Sequence, residues 1–204
     1  DGDGDRVTIV DEKGEIIDGD KIIALLASDY LKKNKLRNKK IVTTHMSNLG
    51  FEKYINETLN LELIRTDVGD RNVINKMREV NSSIGGEQSG HIILSDFSKT
   101  GDGLLSAIQV LDILTSYNKK TSELFNLYNS VPQLLTNVQV EDKIKSFAKE
   151  KIDKFIKDTV EKNPNIRLLI RPSGTESKIR ILVEGNDIDQ IKLITHEAKK
   201  IIIG

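Results

Sequence analysis

The sequence predicts an α/β protein, in which a mixed-sheet α/β domain is followed by a smaller α+β C-terminal domain. Up to about residue 130, short β-rich runs alternate with segments of helical periodicity, which is the order of a partly parallel sheet. Pro132 then interrupts the pattern, so we place a linker at residues 129–134. Beyond the linker, strand-like runs and two helical segments predict the small α+β domain.

The elements of the first domain follow one another in a regular order. A β-rich run at 7–10 and a turn at 11–14 precede a helix at 20–33, which Asp18 or Asp20 is suited to cap. The remaining predicted strands cover 40–44, 61–66, 82–86 and 91–94, and the remaining predicted helices cover 50–59, 70–80 and 102–115.

The second domain has fewer elements. A strand near Val138 is followed by a charged helix at 141–162 and by a turn around Pro164. Two strands, at 166–170 and 178–183, then surround a loop. The final helix has one apolar face, formed by Ile188, Ile191, Ile194, Ala198 and Ile201.

Composition limits the classes of function. The chain has 204 residues with 31 acidic and 31 basic side chains, whereas a general nucleic-acid binder is more often basic. This balance of charge leads us to expect a small substrate and no nucleic-acid partner. No apolar run approaches a membrane span, so we expect no membrane partner either. The absence of cysteine excludes disulfides, thiol nucleophiles and zinc-thiolate sites. No signal peptide is visible, and we expect a cytoplasmic location.

The first motif is a run of three acidic residues that alternate with glycine: Asp1, Asp3 and Asp5, directly before Arg6. This spacing can place three carboxylates around one hard cation, and glycine permits the tight backbone path that this needs. Mg²⁺ takes oxygen ligands in near-octahedral geometry and usually keeps positions for water or phosphate. Arg6 would bind a phosphate or an acidic neighbour in fork geometry. The motif predicts a magnesium site for phosphate chemistry, with Arg6 as a candidate catalytic residue.

Two other interpretations of this acidic loop stay open. Asp1, Asp3, Asp5 and Glu12 fall at the first, third, fifth and twelfth positions of an EF-hand calcium loop. The sixth position of that loop is normally glycine but is Arg6 here, and a strand-like run follows where a helix should form. A solvated acidic turn is the plainer structural alternative. We favour magnesium.

The second motif is the glycine-framed loop at 85–91, which contains an acid, an amide, a hydroxyl and an imidazole. Glu87 and Ser89 suit neighbouring hydroxyls of a sugar, and His91 is a candidate for moving a proton at neutral pH. An ordinary hairpin loop is the alternative interpretation.

The third motif, at 171–177, lies between two predicted strands. Successive amides around Gly174 can form a concavity that binds an anion. The hydroxyls of Ser173 and Thr175 add donors, and Arg171 adds a bidentate charge. The alternative is a plain turn.

Together the three motifs resemble the α-D-phosphohexomutase family. In chain order they read Asp-Gly-Asp-Gly-Asp-Arg, Gly-Glu-Gln-Ser-Gly-His and Arg-Pro-Ser-Gly-Thr-Glu. The stretches at 46–50, 68–71 and 100–105 are also similar to that family, so the resemblance runs over essentially the whole chain. Within it, Gln88 favours glucosamine phosphates as substrates over mannose and glucose phosphates.

The resemblance implies four domains and a phosphoserine, in the first domain, that exchanges its phosphoryl group with a phosphosugar. It implies that the three aspartates of the acidic loop hold Mg²⁺ against that phosphoserine, with Arg6 close by. It also implies that Glu87 and Ser89 bind sugar hydroxyls. The phosphate that does not react would be gripped by Arg171, Ser173, Gly174 and Thr175.

The main departure of the sequence from the family pattern is a missing motif. The Ser-x-Asn-Pro loop of the phosphoserine does not occur, and the first residue is already part of a motif. We therefore expect this chain to be the carboxy-terminal part of a longer protein. By family layout, residues 1–17 finish domain two, 18–130 form domain three and 134–204 form domain four. A smaller departure is Ser177, where the family usually has proline.

Overall fold

A computed structural model describes residues 1–141, 147–174 and 176–203. The chain divides into two compact units, Asp1–Ser130 and Val131–Gly204. The first holds a mixed four-stranded sheet with helices, and the second holds a smaller antiparallel three-stranded sheet with helices. This arrangement confirms the predicted fold class.

The predicted elements of the first unit all occur, in the predicted order and with small shifts at their ends, and two short elements that were not predicted, at Ile16–Ile17 and Thr121–Leu124, add to them. In chain order the elements are β1 (Ile9–Val10), β2 (Ile16–Ile17), α1 (Gly19–Lys32), β3 (Lys40–Thr44), α2 (Leu49–Lys53), β4 (Glu62–Thr66), α3 (Asp70–Val80), β5 (Ile84–Gly86), β6 (Ile92–Leu94), α4 (Gly103–Tyr117) and α5 (Thr121–Leu124).

The central sheet of this unit has the strand order β4-β3-β5-β6. Strand β3 runs parallel to both β4 and β5, whereas β6 pairs antiparallel with β5. The three parallel strands therefore end at the same edge of the sheet, at Thr66, Thr44 and Gly86. In open α/β sheets this carboxyl edge is where ligands bind.

Helices cover both faces of the sheet. Successive side chains of a strand point to opposite faces. Ile41 accordingly belongs to the core that contains Ile22 and Ile23 of α1. Its neighbour Val42 packs in a separate core with Met77 of α3. Burial on both faces explains why β3 reads as an apolar run rather than an alternating one.

Local side chains set the helix starts. The carboxylate of Asp18 accepts from the Lys21 amide at 3.0 Å and caps α1, so Asp20 is left inside the helix and is fully buried. The predicted helix at 50–59 is not one regular α-helix. It begins at Leu49, after Asn48 as cap, and continues as a π-helical turn over Tyr54–Thr58.

The second unit contains β7 (Gln133–Gln139), α6 (Lys149–Lys162), β8 (Arg167–Pro172), β9 (Lys178–Glu184) and α7 (Ile188–Ile203). Its sheet is antiparallel in the order β7-β9-β8. The core contains Ile152 of α6, Ile181 of β9 and Ile194 of α7.

The predicted helix at 141–162 begins too early. Glu141 lies in no helix, residues 142–146 lie outside the described residues, and α6 begins only after Ala148. Phe147 packs against the core from a position ahead of the helix. Among the described residues, Glu141, Phe147 and Ala148 were therefore wrongly predicted to be helical.

Within the described ranges, no helix has both the length and the continuous apolar character that crossing a bilayer requires.

Candidate functional site

The acidic loop brings its three carboxylates together. One oxygen from each of Asp1, Asp3 and Asp5 lies within 4.8 Å of the others. Gly4 adopts φ of 75°, a left-handed conformation that glycine takes without strain. The guanidinium of Arg6 lies beside the cluster, with Nε 3.7 Å from Asp5 Oδ1 and 3.9 Å from Asp1 Oδ2.

This donor set fits a magnesium ion. Three carboxylate oxygens are the hard ligands that Mg²⁺ takes, and three coordination positions would stay available for water or phosphate. Asp5 Oδ1 is also buried without a hydrogen-bond partner among the described residues, although Arg6 Nε is 3.7 Å away. A bound cation would compensate that buried oxygen.

The first residue of helix α4 contacts the backbone of the acidic loop. The Gly103 amide donates to the carbonyl oxygen of Gly4 at 2.9 Å. A Cβ at residue 103 would lie 2.2 Å from the carbonyl oxygen of Arg6, which is backbone and has little freedom to move. Glycine at 103 is therefore what allows this close approach.

We expect Gly103→Ala to lower the unfolding free energy of the first unit by roughly 1–3 kcal/mol, because the added methyl group overlaps backbone. Urea unfolding followed by tyrosine fluorescence measures this unit alone, since all four tyrosines (Tyr30, Tyr54, Tyr117 and Tyr128) lie in it and the chain has no tryptophan. The matched control is Gly2→Ala, where a Cβ would meet no atom within 4 Å. Equal stability of the two variants would contradict the prediction.

His91 is buried against the acidic loop and has little exposure to solvent. Its side chain is 5% exposed, and Nδ1 is 3.1 Å from Asp5 Oδ2. Nε2 is buried without a hydrogen-bond partner in the described part of the chain, and a Cβ at Gly101 would lie 2.2 Å from it. The ring therefore orients the Asp5 carboxylate. Its role as a proton carrier stays a prediction.

The acidic loop is joined through its backbone to the glycine-framed loop at 85–91, here called the sugar loop after its predicted ligand. Arg6 and His91 form an isolated antiparallel β-bridge. The Val7 amide also donates to the carbonyl oxygen of Gly90 at 3.1 Å. Two motifs that are far apart in sequence are thus adjacent in the first unit.

A cleft of about 360 Å³ opens at the carboxyl edge of the sheet. Arg6 from the acidic loop and Glu87 and Ser89 from the sugar loop line it, together with Thr44 and Gln88. Glu87 Oε1 accepts a hydrogen bond from the Gly69 amide at 3.0 Å, which fixes the carboxylate beside the turn before α3. The cleft thus offers a cation, a carboxylate, an amide and hydroxyls to one polar ligand.

A buried polar network under this cleft has no counterpart in the sequence-based predictions. Asp20 Oδ2 accepts from the Asn48 amide at 2.8 Å, and the Ser47 side chain also hydrogen-bonds to Asp20. The hydroxyls of Ser47 and Thr43 are hydrogen-bonded, and Thr43 Oγ1 donates to the carbonyl oxygen of Gly86 at 3.1 Å. The network joins the loop after β3 to the start of the sugar loop.

Arg65 of β4 hydrogen-bonds to the loop after β3. Its Nη1 donates to the Ser47 carbonyl oxygen at 2.7 Å, and its Nη2 lies 2.9 Å from Glu52 Oε2. The only sequence signal for the network was Asp-Gly-Asp at 18–20, where one carboxylate caps the helix and the other is spare.

The third motif lies in the second unit, in the loop between β8 and β9. Arg171 is in β8, opposite Arg180 of β9, and Ser173 is buried with its amide donating to the Lys178 carbonyl oxygen at 2.8 Å. A Cβ at Gly174 would meet no atom within 4 Å, so the loop is open there. Thr175 lies outside the described residues.

Cations outnumber acids around this loop. Glu176 lies between Lys178 and Arg180, with Oε1 2.6 Å from Lys178 Nζ and Oε2 3.1 Å from Arg180 Nη2. The hydrogen bond from Lys178, and then that from Arg180, holds the pKa of Glu176 below its ordinary value. With Arg171 nearby on β8, the loop has the positive character that an anion requires.

Comparisons with known families identify the class of protein. A model described as phosphoglucomutase/phosphomannomutase, alpha/beta/alpha domain III, matches residues 18–131. The model of the C-terminal domain of the same family matches residues 135–201. The chain therefore belongs to the phosphoglucomutase/phosphomannomutase family, the α-D-phosphohexomutases.

A curated relative within this family is similar to the chain over nearly its whole length. The phosphoglucosamine mutase of Rhizobium rhizogenes is 48% identical over 195 residues, which are 95% of this chain and 43% of that relative. The chain thus spans less than half the length of this curated relative.

Solved structures share the fold. A crystal structure of N-acetylglucosamine-phosphate mutase in its product complex has a TM-score of 0.81 at 21% identity, over 98% of this chain and 47% of that one. Aspergillus fumigatus N-acetylphosphoglucosamine mutase, in complex with GlcNAc-6P and magnesium, has a TM-score of 0.77 at 21% identity, over 99% of this chain and 51% of that one.

Proposed function

We propose that this chain is the carboxy-terminal part of a phosphoglucosamine mutase. Such an enzyme interconverts glucosamine 6-phosphate and glucosamine 1-phosphate, in amino-sugar metabolism that supplies cell-wall precursors, through a phosphoserine and a bisphosphate intermediate. The observation that carries the proposal is the cleft of about 360 Å³ at the carboxyl edge of the sheet, lined by Arg6 of the acidic loop and Glu87 of the sugar loop. The 48% identical relative of that name supports the choice of sugar.

The proposal assigns residues to domains by the family layout. Residues 1–17 would finish domain two, 18–130 would form domain three and 134–204 would form domain four. The phosphoserine would belong to a part of the protein that precedes these residues. We therefore expect no turnover from this chain alone, and we expect a cytoplasmic location.

In the acidic loop, Asp1, Asp3 and Asp5 would hold Mg²⁺. When bound, the ion would offset negative charge on the phosphoryl group that moves. Arg6 would add a second positive charge beside that group, and His91 would keep the Asp5 carboxylate in position through its hydrogen bond of 3.1 Å.

The remaining residues would position the substrate. Glu87 and Ser89 would bind neighbouring sugar hydroxyls in the cleft that they line. Arg171, Ser173, Gly174 and Thr175 would grip the phosphate that does not react. Such contacts matter because phosphoryl transfer depends more on positioning and charge neutralisation than on covalent help from the protein.

Two experiments on this chain test the proposal. In an NMR titration we expect glucosamine 6-phosphate to shift the amide signals of Glu87 and Ser89, and to bind more tightly than glucose 6-phosphate or mannose 6-phosphate. An assay for glucosamine 1-phosphate is expected to detect no product from the chain alone. Preference for glucose or mannose phosphate would move the assignment to a phosphoglucomutase or a phosphomannomutase of the same family.

Controls separate the mutase from a phosphosugar-binding module without catalysis. A complete mutase requires a Ser-x-Asn-Pro loop in the coding sequence upstream of Asp1, and its absence there would leave only the binding module. Adding Mg²⁺ should shift the signals of the acidic loop in the parent chain and not in an Asp3→Asn variant. Measurable product from the chain alone would show the expected dependence on a preceding domain to be wrong.

A further inference from the structure

A second cavity, of about 280 Å³, lies at the other edge of the four-stranded sheet. Strands β3 and β5 begin there, at Lys40 and Ile84, and β6 ends there at Leu94. The proposed sugar cleft instead follows the carboxyl ends of β3 and β5. The second cavity therefore belongs to a different part of the first unit and is independent of the proposed function.

The floor of this cavity is apolar. Met77 of α3 and Ile93 of β6 are 3% and 2% exposed, and Ile74 lies one turn before Met77. Such a surface favours a ligand with an apolar or flat carbon part, because water leaves both surfaces on binding.

The rim of the cavity is cationic. Arg37, Arg78 and Lys99 line it, and the lining includes no acidic residue. Arg37 is partly neutralised, since its Nε is 2.8 Å from Asp96 Oδ1. Arg78 and Lys99 form no ion pair within the described ranges. Two positive charges thus remain beside an apolar floor.

The polar side chains between floor and rim leave few donors other than these cations. The hydroxyl of Ser82 is used by backbone carbonyl oxygens, at 2.7 Å for Lys40 and 2.8 Å for Ile84. The hydroxyl of Ser95 donates to the Ser82 carbonyl oxygen at 2.8 Å. The protons of both hydroxyls are thus engaged by backbone carbonyl oxygens, so an anion in the cavity is met chiefly by the two cations.

We propose that this cavity binds a small organic phosphate with an apolar or aromatic carbon part. A phosphate monoester carries a charge of about −1.5 to −2 at neutral pH, which matches the two cations without a carboxylate partner. A carboxylate would neutralise only one of them. Inorganic phosphate would leave the apolar floor exposed to water.

Calorimetric titration of this chain with phenyl phosphate tests the proposal. Phenyl phosphate is expected to bind more tightly than benzoate, which has a single charge, and more tightly than inorganic phosphate, which has no ring. NMR should place the shifts at the amides of Ser82 and Ser95 rather than at Glu87 and Ser89.

Charge variants identify the cations. Arg78→Gln and Lys99→Glu are each expected to weaken phenyl phosphate binding by about tenfold or more. Lys13→Glu makes the same charge change as Lys99→Glu in an exposed turn and should leave the affinity unchanged. The proposal is overturned if no saturable binding is seen at about 1 mM phenyl phosphate, if both rim variants bind like the parent, or if the shifts fall in the sugar cleft.

Discussion

Between about pH 4 and about pH 7, the parent chain is expected to lose about 3 kcal/mol more unfolding free energy than an Asp20→Asn variant. Burial raises the pKa of Asp20 from 3.8 to about 7, against the opposing hydrogen bonds from the Asn48 amide and the Ser47 side chain. The folded chain therefore keeps this proton to higher pH than the unfolded chain does. Its stabilising effect is complete below the unfolded pKa and is lost as the pH rises through the folded pKa.

Urea unfolding followed by tyrosine fluorescence at a series of pH values measures this difference in the first unit. Asparagine keeps an oxygen that can accept from the Asn48 amide, so the variant is expected to fold. Asp67→Asn makes the same carboxylate-to-amide change in a side chain that is 90% exposed, so it is the control and should follow the parent. Parallel pH profiles for the parent and Asp20→Asn would contradict the prediction.

Arg171→Ala is expected to weaken the binding of glucosamine 6-phosphate to this chain by about 2–4 kcal/mol, provided that Arg171 makes a charge-assisted contact with the phosphate. Arginine binds a phosphate through two parallel hydrogen bonds, which lysine cannot reproduce. Arg171→Lys should therefore recover only part of the affinity. Calorimetric titration of the three proteins gives the comparison.

Lys157→Ala provides the control for the Arg171 series, because the Lys157 side chain is 75% exposed and belongs to α6 rather than to the loop. It removes the same charge and should bind like the parent. An Arg171→Ala chain with the parent's affinity for the phosphosugar would remove Arg171 from the site.

Much of the fold could be predicted from the sequence, because apolar periodicity and turn residues indicate the same element boundaries along most of the chain. Strand β3 was predicted over its full length, and Asp18 caps α1 as one of the two predicted candidates. The start of α6 was predicted too early, because the charged pattern continues back to residue 141, whereas Phe147 and Ala148 precede the helix and are not part of it.

The sequence was less informative about the site. Residues that are near one another in the sequence can be predicted to cluster from their spacing alone. Asp1, Asp3 and Asp5 are such residues, and the structure brings their carboxylates together. The network through Asp20, Ser47 and Thr43 depends on long-range contacts between α1, the loop after β3 and the sugar loop. No local pattern encodes those contacts, because they join residues that are far apart in the sequence.

The β-bridge between Arg6 and His91 has a thermodynamic consequence. If a ligand orders one of the two loops, the bridge would restrict the other as well, and a second ligand would then lose less conformational entropy on binding. If Mg²⁺ binds the acidic loop and a sugar phosphate binds the sugar loop, each would raise the affinity of the other by the same factor, because cooperativity between two binding sites is reciprocal.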